Sequence, residues 1–171
     1  MTARIQLRGF APTLLEKLFD DAPQSQSEPV VLKRLSLEEL KDSVARDLEA
    51  LLNSRGGLEA ELARRYPESA SSIHAYGMED FVGLSLANPA DCARICKTIE
   101  HAVAAHEPRL RNPRVTLEAD VRQKTTVRFV ISALLVVKPM REPVNFDALL
   151  QPTTQQYSVV KTRHLIAPGQ I

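Results

Sequence analysis

The chain has 171 residues, 44% apolar and 25% charged, the balance of a folded protein with room for one sizeable core. A formal net charge of +1 makes no demand for nucleic acid, and 5% aromatics with no Trp leave little on which bases or sugars could stack. The N-terminus lacks an apolar h-region and no apolar run nears membrane-spanning length, so a cytoplasmic protein with no direct membrane insertion is expected. Residues 11–21 place Leu14, Leu15, Leu18 and Phe19 on one helical stripe, with Thr13 and Glu16 spaced as a capping box. The following A-P-Q-S-Q-S-E-P, residues 22–29, is polar and proline-punctuated and reads as a linker, so residues 1–29 form a separable arm.

The best-signalled helix begins at S-L-E-E, where Ser36 and Glu39 have capping-box spacing. Leu37, Leu40, Val44, Leu48, Leu51 and Leu52 recur at helical period, opposite Glu38, Lys41, Asp42 and Glu49, and Gly56 and Gly57 follow its end. Beyond a polar stretch, Ile73, Tyr76 and Phe81 are expected to reach the core, and Gly77 to make a turn that other residues resist. Asn88 and Pro89 open another helix, with Asp91 in its first turn. Its apolar face is Cys92, Ile95, Cys96, Ile99, Ala102 and Val103, and Pro108 ends it. The two cysteines, four apart on that face, suit buried thiols better than a disulfide. His74, His101 and His164 show no ligand spacing, so neither metal nor cofactor is expected.

From Arg114 the period changes to two. Val115, Leu117, Ala119 and Val121 oppose Thr116, Glu118 and Asp120. After a turn around residues 123–125, Val127, Phe129, Ile131, Ala133, Leu135 and Val137 share one face of a long central strand, and its second face is polar early (Arg128, Ser132) and apolar late (Leu134, Val136), so its far end is expected to be covered on both sides. Tyr157 to Val160 reads as a short last strand, giving two long strands and a short one. The fold class is α+β: helices first, then a small antiparallel or mixed sheet. Residues 30–162 form the domain and residues 163–171 a tail.

At the end of the second main helix stands H-E-P-R-L, residues 106–110. A hydrolase could use Glu107 as an acid; a structural protein could use Glu107 and Arg109, directed by Pro108, as an ion-pair socket. The simplest alternative is pairing of Glu107 or Arg109 with Arg46 or Asp47 inside the monomer. Taken in order, R-D-L-E-A-L-L-N-S-R (46–55), Y-G (76–77), E-P-R-L (107–110), V-R-F-V-I-S-A-L-L-V (127–136) and P-V-N-F-D-A-L-L (143–150) resemble the TssE family of type VI secretion baseplate subunits. The relatives of that family are the phage tail baseplate wedge proteins often labelled lysozyme-like. The resemblance covers residues 32–160. It departs at His106, where an aromatic is frequent, at Ser54 for a threonine, and at Met78-Glu79 for Leu-Pro.

The resemblance implies a noncatalytic part of a contractile injection machine. Its partners would be other baseplate wedge proteins, contractile sheath subunits and the spike or inner tube. Glu107, Pro108 and Arg109 would be an interaction site inside the wedge, and the sheet would be similar to the strand-exchanging part of sheath proteins; Arg46 and Asp47 read either as a further partner-binding pair or as a solvated helix face. The label also raises peptidoglycan hydrolysis, with Glu107 as acid and Glu118, Asp120 or Asp147 as its partner. An arginine two residues away opposes the raised carboxyl pKa that a general acid needs, so the structural reading is preferred. Tyr157, Ser158, Val159 and Val160 lie on a β-prone final segment and are expected to form an open edge for strand addition by a sheath subunit.

Overall fold

The computed structural model describes residues 9–14, 34–56, 60–78, 83–85, 88–118 and 126–162. The expected N-terminal helix beyond Leu14, the linker, Phe81, the turn at 123–125, His164 and the tail lie outside the described residues, as does the expected domain boundary at 29/30. Two compact units divide the chain, Met1–Val44 and Ala45–Ile171. In the first, Phe10 and Leu35 exchange both backbone hydrogen bonds at 2.8 Å. Gly9, at φ 113°, leaves room there that a Cβ 2.8 Å from the Leu35 carbonyl oxygen would remove.

Helix α1, Leu37–Asn53, starts as its sequence dictates. The Ser36 amide donates to Glu39 Oε2 at 2.7 Å, and the Glu39 amide to Ser36 Oγ at 3.3 Å. This reciprocal box satisfies N-terminal donors that the helix cannot bond itself. Leu40, Val44, Leu48, Leu51 and Leu52 are buried along one stripe, each side chain contributing roughly 1.5–3 kcal/mol of apolar burial. A short α2, Ala60–Arg65, and two 3₁₀ turns at Pro67–Ser71 and Ile73–Ala75 follow. Ile73 is 81% exposed, against expectation. It opens a three-residue 3₁₀ turn whose first amides are held by Ser72, and the chain then reverses at Gly77. The residue delivered inward by that reversal is Met78, fully buried.

Gly77 is required twice over. Its φ is +121°, and an added Cβ would lie 2.7 Å from the carbonyl of Ser54 and 2.8 Å from the amide of Gly56. The close approach lets Met78 donate to the Ser54 carbonyl at 2.8 Å and accept from the Gly56 amide at 3.0 Å, tying the end of α1 to this turn. Helix α3, Pro89–His106, is capped by Asn88, whose Oδ1 accepts from the Ala90 amide at 3.0 Å. Cys92, Ile95, Ile99, Ala102 and Val103 are buried as its periodicity requires, and Cys96 is half-buried.

The sheet is an antiparallel meander, β1-β2-β3-β4: Leu110–Glu118, Val127–Val137, Met140–Gln151 and Gln156–Lys161. Phe129, Ile131 and Leu135 of β2, with Val144, Phe146, Ala148 and Leu150 of β3, form its buried face. Strand β3 is an addition to the strands read from the sequence. Its alternation is plain, but Pro143 interrupts it. Strand β4 pairs with β3 only as far as Phe146, and the Thr162 amide reaches the Asn145 carbonyl. Pro143 lies past that point, on the side β4 does not reach, so its missing N–H costs no ladder bond. Strand β1 starts earlier than expected because an irregularity between Arg111 and Arg114, with Asn112 at φ 52°, absorbs Pro113.

Candidate functional site

The Glu107-Pro108-Arg109 turn joins α3 to β1 and is pinned at both ends. The Glu107 amide caps the helix on the Val103 carbonyl at 2.9 Å, and Leu110 donates to the Glu107 carbonyl at 3.1 Å. The Arg109 carbonyl accepts from Val136 of β2 at 2.8 Å. With its backbone so held, Arg109 folds over Glu107. Its amide and its Nε donate to Glu107 Oε1 at 3.1 and 2.7 Å, and its Nη2 donates to both Glu107 Oε2 and Asp47 Oδ2. One guanidinium thus joins the carboxylate of its own turn to a carboxylate of α1. Burial lowers the Arg109 pKa, but Glu107 and then Asp47 outweigh it and the net shift is upward, so the cation is locked.

The three members differ in exposure. The Glu107 side chain is 6% exposed, Arg109 21% and Asp47 44%. Both oxygens of Glu107 are consumed internally, while Asp47 faces solvent beside them. Among the described residues, Arg109 Nη1 is buried without a hydrogen-bond partner. Arg46, one step along the helix, is exposed; consecutive helical residues point about 100° apart. Around the cluster, the His106 ring meets Tyr76 edge-on at 5.3 Å and its Nε2 lies 3.0 Å from the Ala75 carbonyl oxygen. Burial, then Asp47 and Glu107, raise the Tyr76 pKa.

The carboxylates considered as partners for Glu107 are elsewhere. Glu118 and Asp147 both bind Arg128, at 2.9 and 2.8 Å, on the sheet face opposite the buried one; Asp120 lies outside the described residues. The Cys96 thiol is pushed up by burial, then by Cys92 and Glu100, which keeps it protonated and unreactive at neutral pH.

The expected strand edge is present and occupied. Tyr157 and Val159 turn their amides away from β3, where Asn53 Oδ1 and Glu49 Oε2 accept them at 2.8 Å each. Asn53 Nδ2 returns a bond to the Tyr157 carbonyl at 2.8 Å. Ser158 and Val160, by alternation, bond inward to β3. The opposite edge is treated alike: the Val115 amide of β1 donates to Glu100 Oε1 at 2.8 Å. Glu49 was legible only as part of a polar helix face, because nothing in its spacing reveals that a sheet edge runs beside it.

Helices packed on a four-stranded meander, with an ion-paired turn and side-chain-capped edges, define an α+β scaffold. A family model described as baseplate wedge protein gp25 matches residues 38–140. The chain belongs to that family, whose place is structural, in a phage-tail-like baseplate. No curated protein and no solved structure matches it. No helix among the described residues is long and apolar enough to cross a membrane.

Proposed function

We propose that the chain is the wedge subunit of a bacterial type VI secretion baseplate, of TssE type, and that it offers the platform on which the contractile sheath begins to polymerise. It acts in the cytoplasm, reaching the membrane only through partners. The observation that carries this reading is the family match over residues 38–140, joined to the ordered E-P-R-L and strand motifs named above.

In this reading, Arg46 and Asp47 are the face presented to another wedge protein, and Glu107, Pro108 and Arg109 hold the Asp47 carboxylate in place. Its exposure supports this: Asp47 is the solvent-facing member of the trio. The Tyr157–Val160 edge receives a sheath strand by exchange. Side-chain acceptors hold its outward amides, and a backbone strand can replace them with ladder bonds. Peptidoglycan hydrolysis draws no support from this geometry, because both Glu107 oxygens are held by Arg109.

Sheath formation in cells, followed with a fluorescent sheath subunit, tests the proposal. Val159→Pro removes an outward donor and is expected to abolish sheaths while the protein remains expressed; normal sheath number and length would overturn the strand-exchange reading. Asp47→Asn is expected to lose co-purification with wedge proteins while remaining folded by circular dichroism.

A further inference from the structure

The sheet has a second face. Side chains alternate along a strand, so Arg128, Val130, Ser132, Leu134 and Val136 point away from buried Phe129, Ile131 and Leu135. Pairing carries that outward set across the sheet. Arg111 and Pro143 stand opposite Leu134, Arg114 and Asn145 opposite Ser132, Arg141 opposite Val136, and Asp147 between Val130 and Val160. The irregularity at Asn112-Pro113 matters here. Positions 111 and 114 differ by an odd number and would fall on opposite faces of a regular strand; the extra residue puts both arginines on the outward one.

No outward residue of β2 is fully buried. Each is half-buried, whereas the inward set includes the fully buried Phe129, Ile131 and Leu135, and Val160 is 49% exposed. A face made for water alone needs no row of Val130, Leu134, Val136, Leu149 and Val160. The charges are segregated. At one end Arg111, Arg114 and Arg141 are exposed around Leu134 and Val136; Arg114 makes only a 3.9 Å approach to Glu100, with its side chain 79% exposed. At the other end Arg128 is held between Glu118 and Asp147.

We propose that this face seats an acidic amphipathic helix from another polypeptide, with its carboxylates over Arg111, Arg114 and Arg141. A flat apolar face accepts the side-chain stripe of a helix, whereas strand addition requires an edge. Val130 to Val136 spans ~20 Å at ~3.3 Å per strand residue, a length that ~13 helical residues cover at ~1.5 Å each. The arginines supply the charge complementarity, with planar donors suited to carboxylates. Nucleic acid fits less well. A phosphate track needs continuous cations, and here the Glu118 and Asp147 carboxylates and the apolar row interrupt them. The proposal goes beyond the wedge reading, which uses α1, the Glu107 turn and the β4 edge and leaves this face unassigned.

The test is a photo-crosslinking amino acid at Ser132, in the full chain, in cells that assemble the complex, with adducts identified by mass spectrometry. The expected adduct joins one segment of a different polypeptide, with apolar residues at helical spacing and an excess of Asp and Glu. Combining Arg111→Glu with Arg141→Glu should cut that adduct by about tenfold or more through like-charge repulsion, with circular dichroism and urea midpoint unchanged. An adduct to nucleic acid, to a second copy or to this chain's own terminal residues overturns the proposal. So does an adduct that survives the double reversal, or no adduct from an assembled complex that is recovered intact. Wedge co-purification of the same variant separates this result from a failure of the wedge reading.

Discussion

The three ionised groups at the Glu107 turn should contribute very unequally to stability, and the inequality follows from exposure. Glu107 is buried with both oxygens bonded to Arg109. Removing one member of a buried pair strands the other, at a cost of about 3–5 kcal/mol. Arg109→Ala leaves Glu107 without its cation and should fall in that range. Glu107→Gln leaves Arg109 with Asp47 and some solvent, so about 2–3 kcal/mol is expected, below the full cost of a stranded buried charge. Asp47 is 44% exposed, and Asp47→Asn should cost no more than about 1 kcal/mol, as for other exposed pairs. Urea unfolding of each variant, analysed at equal denaturant sensitivity, gives the ranking. A Glu107–Arg109 double-mutant cycle isolates the pair from neighbouring effects. If Asp47→Asn destabilises as much as Glu107→Gln, the division between a buried support and an exposed presenting group is wrong. That division also underlies the wedge-binding test, since a variant that fails to bind must first be shown to fold.

Tyr157 sets an alkaline limit. Burial pushes its pKa from 10.0 to about 12, so the folded state favours the protonated phenol. The resulting stability is complete below pH 10 and is lost as the pH rises through 12, and Tyr157→Phe should flatten this loss in pH-dependent urea midpoints. Gly77→Ala combines a φ of +121° with a 2.7 Å clash against backbone; it should cost at least about 2 kcal/mol, read as a lowered thermal midpoint. Ser36→Ala removes half of a reciprocal cap and should cost about 1 kcal/mol, with Ser36→Asp largely restoring the midpoint. Purified protein should not clear a cell-wall suspension, and Glu107→Gln should not change that turbidity trace.

Period, caps and punctuation were enough to place α1 from Ser36 and α3 from Asn88 to Pro108, because each cap is a contact between residues a few positions apart; alternation along β2 likewise put Phe129, Ile131 and Leu135 on one face. The same locality explains Gly77, whose need for positive φ is written in one residue. What needed the tertiary structure depends on neighbours distant in sequence. Pro143 argues against a strand until β4 is seen to stop short of it. Ile73 reads as core by hydropathy, yet the turn at Gly77 carries Met78 inward instead. Glu107 and Arg109 announce an ion pair from their spacing, but only folding brings Asp47 from α1 to complete it and leaves Asp47 as the exposed member. Glu49 reads as part of a polar helix face, and with Asn53 it caps a strand more than a hundred residues away. Local conformation is encoded locally; which charge is buried and which edge is covered depend on where the distant chain comes to rest.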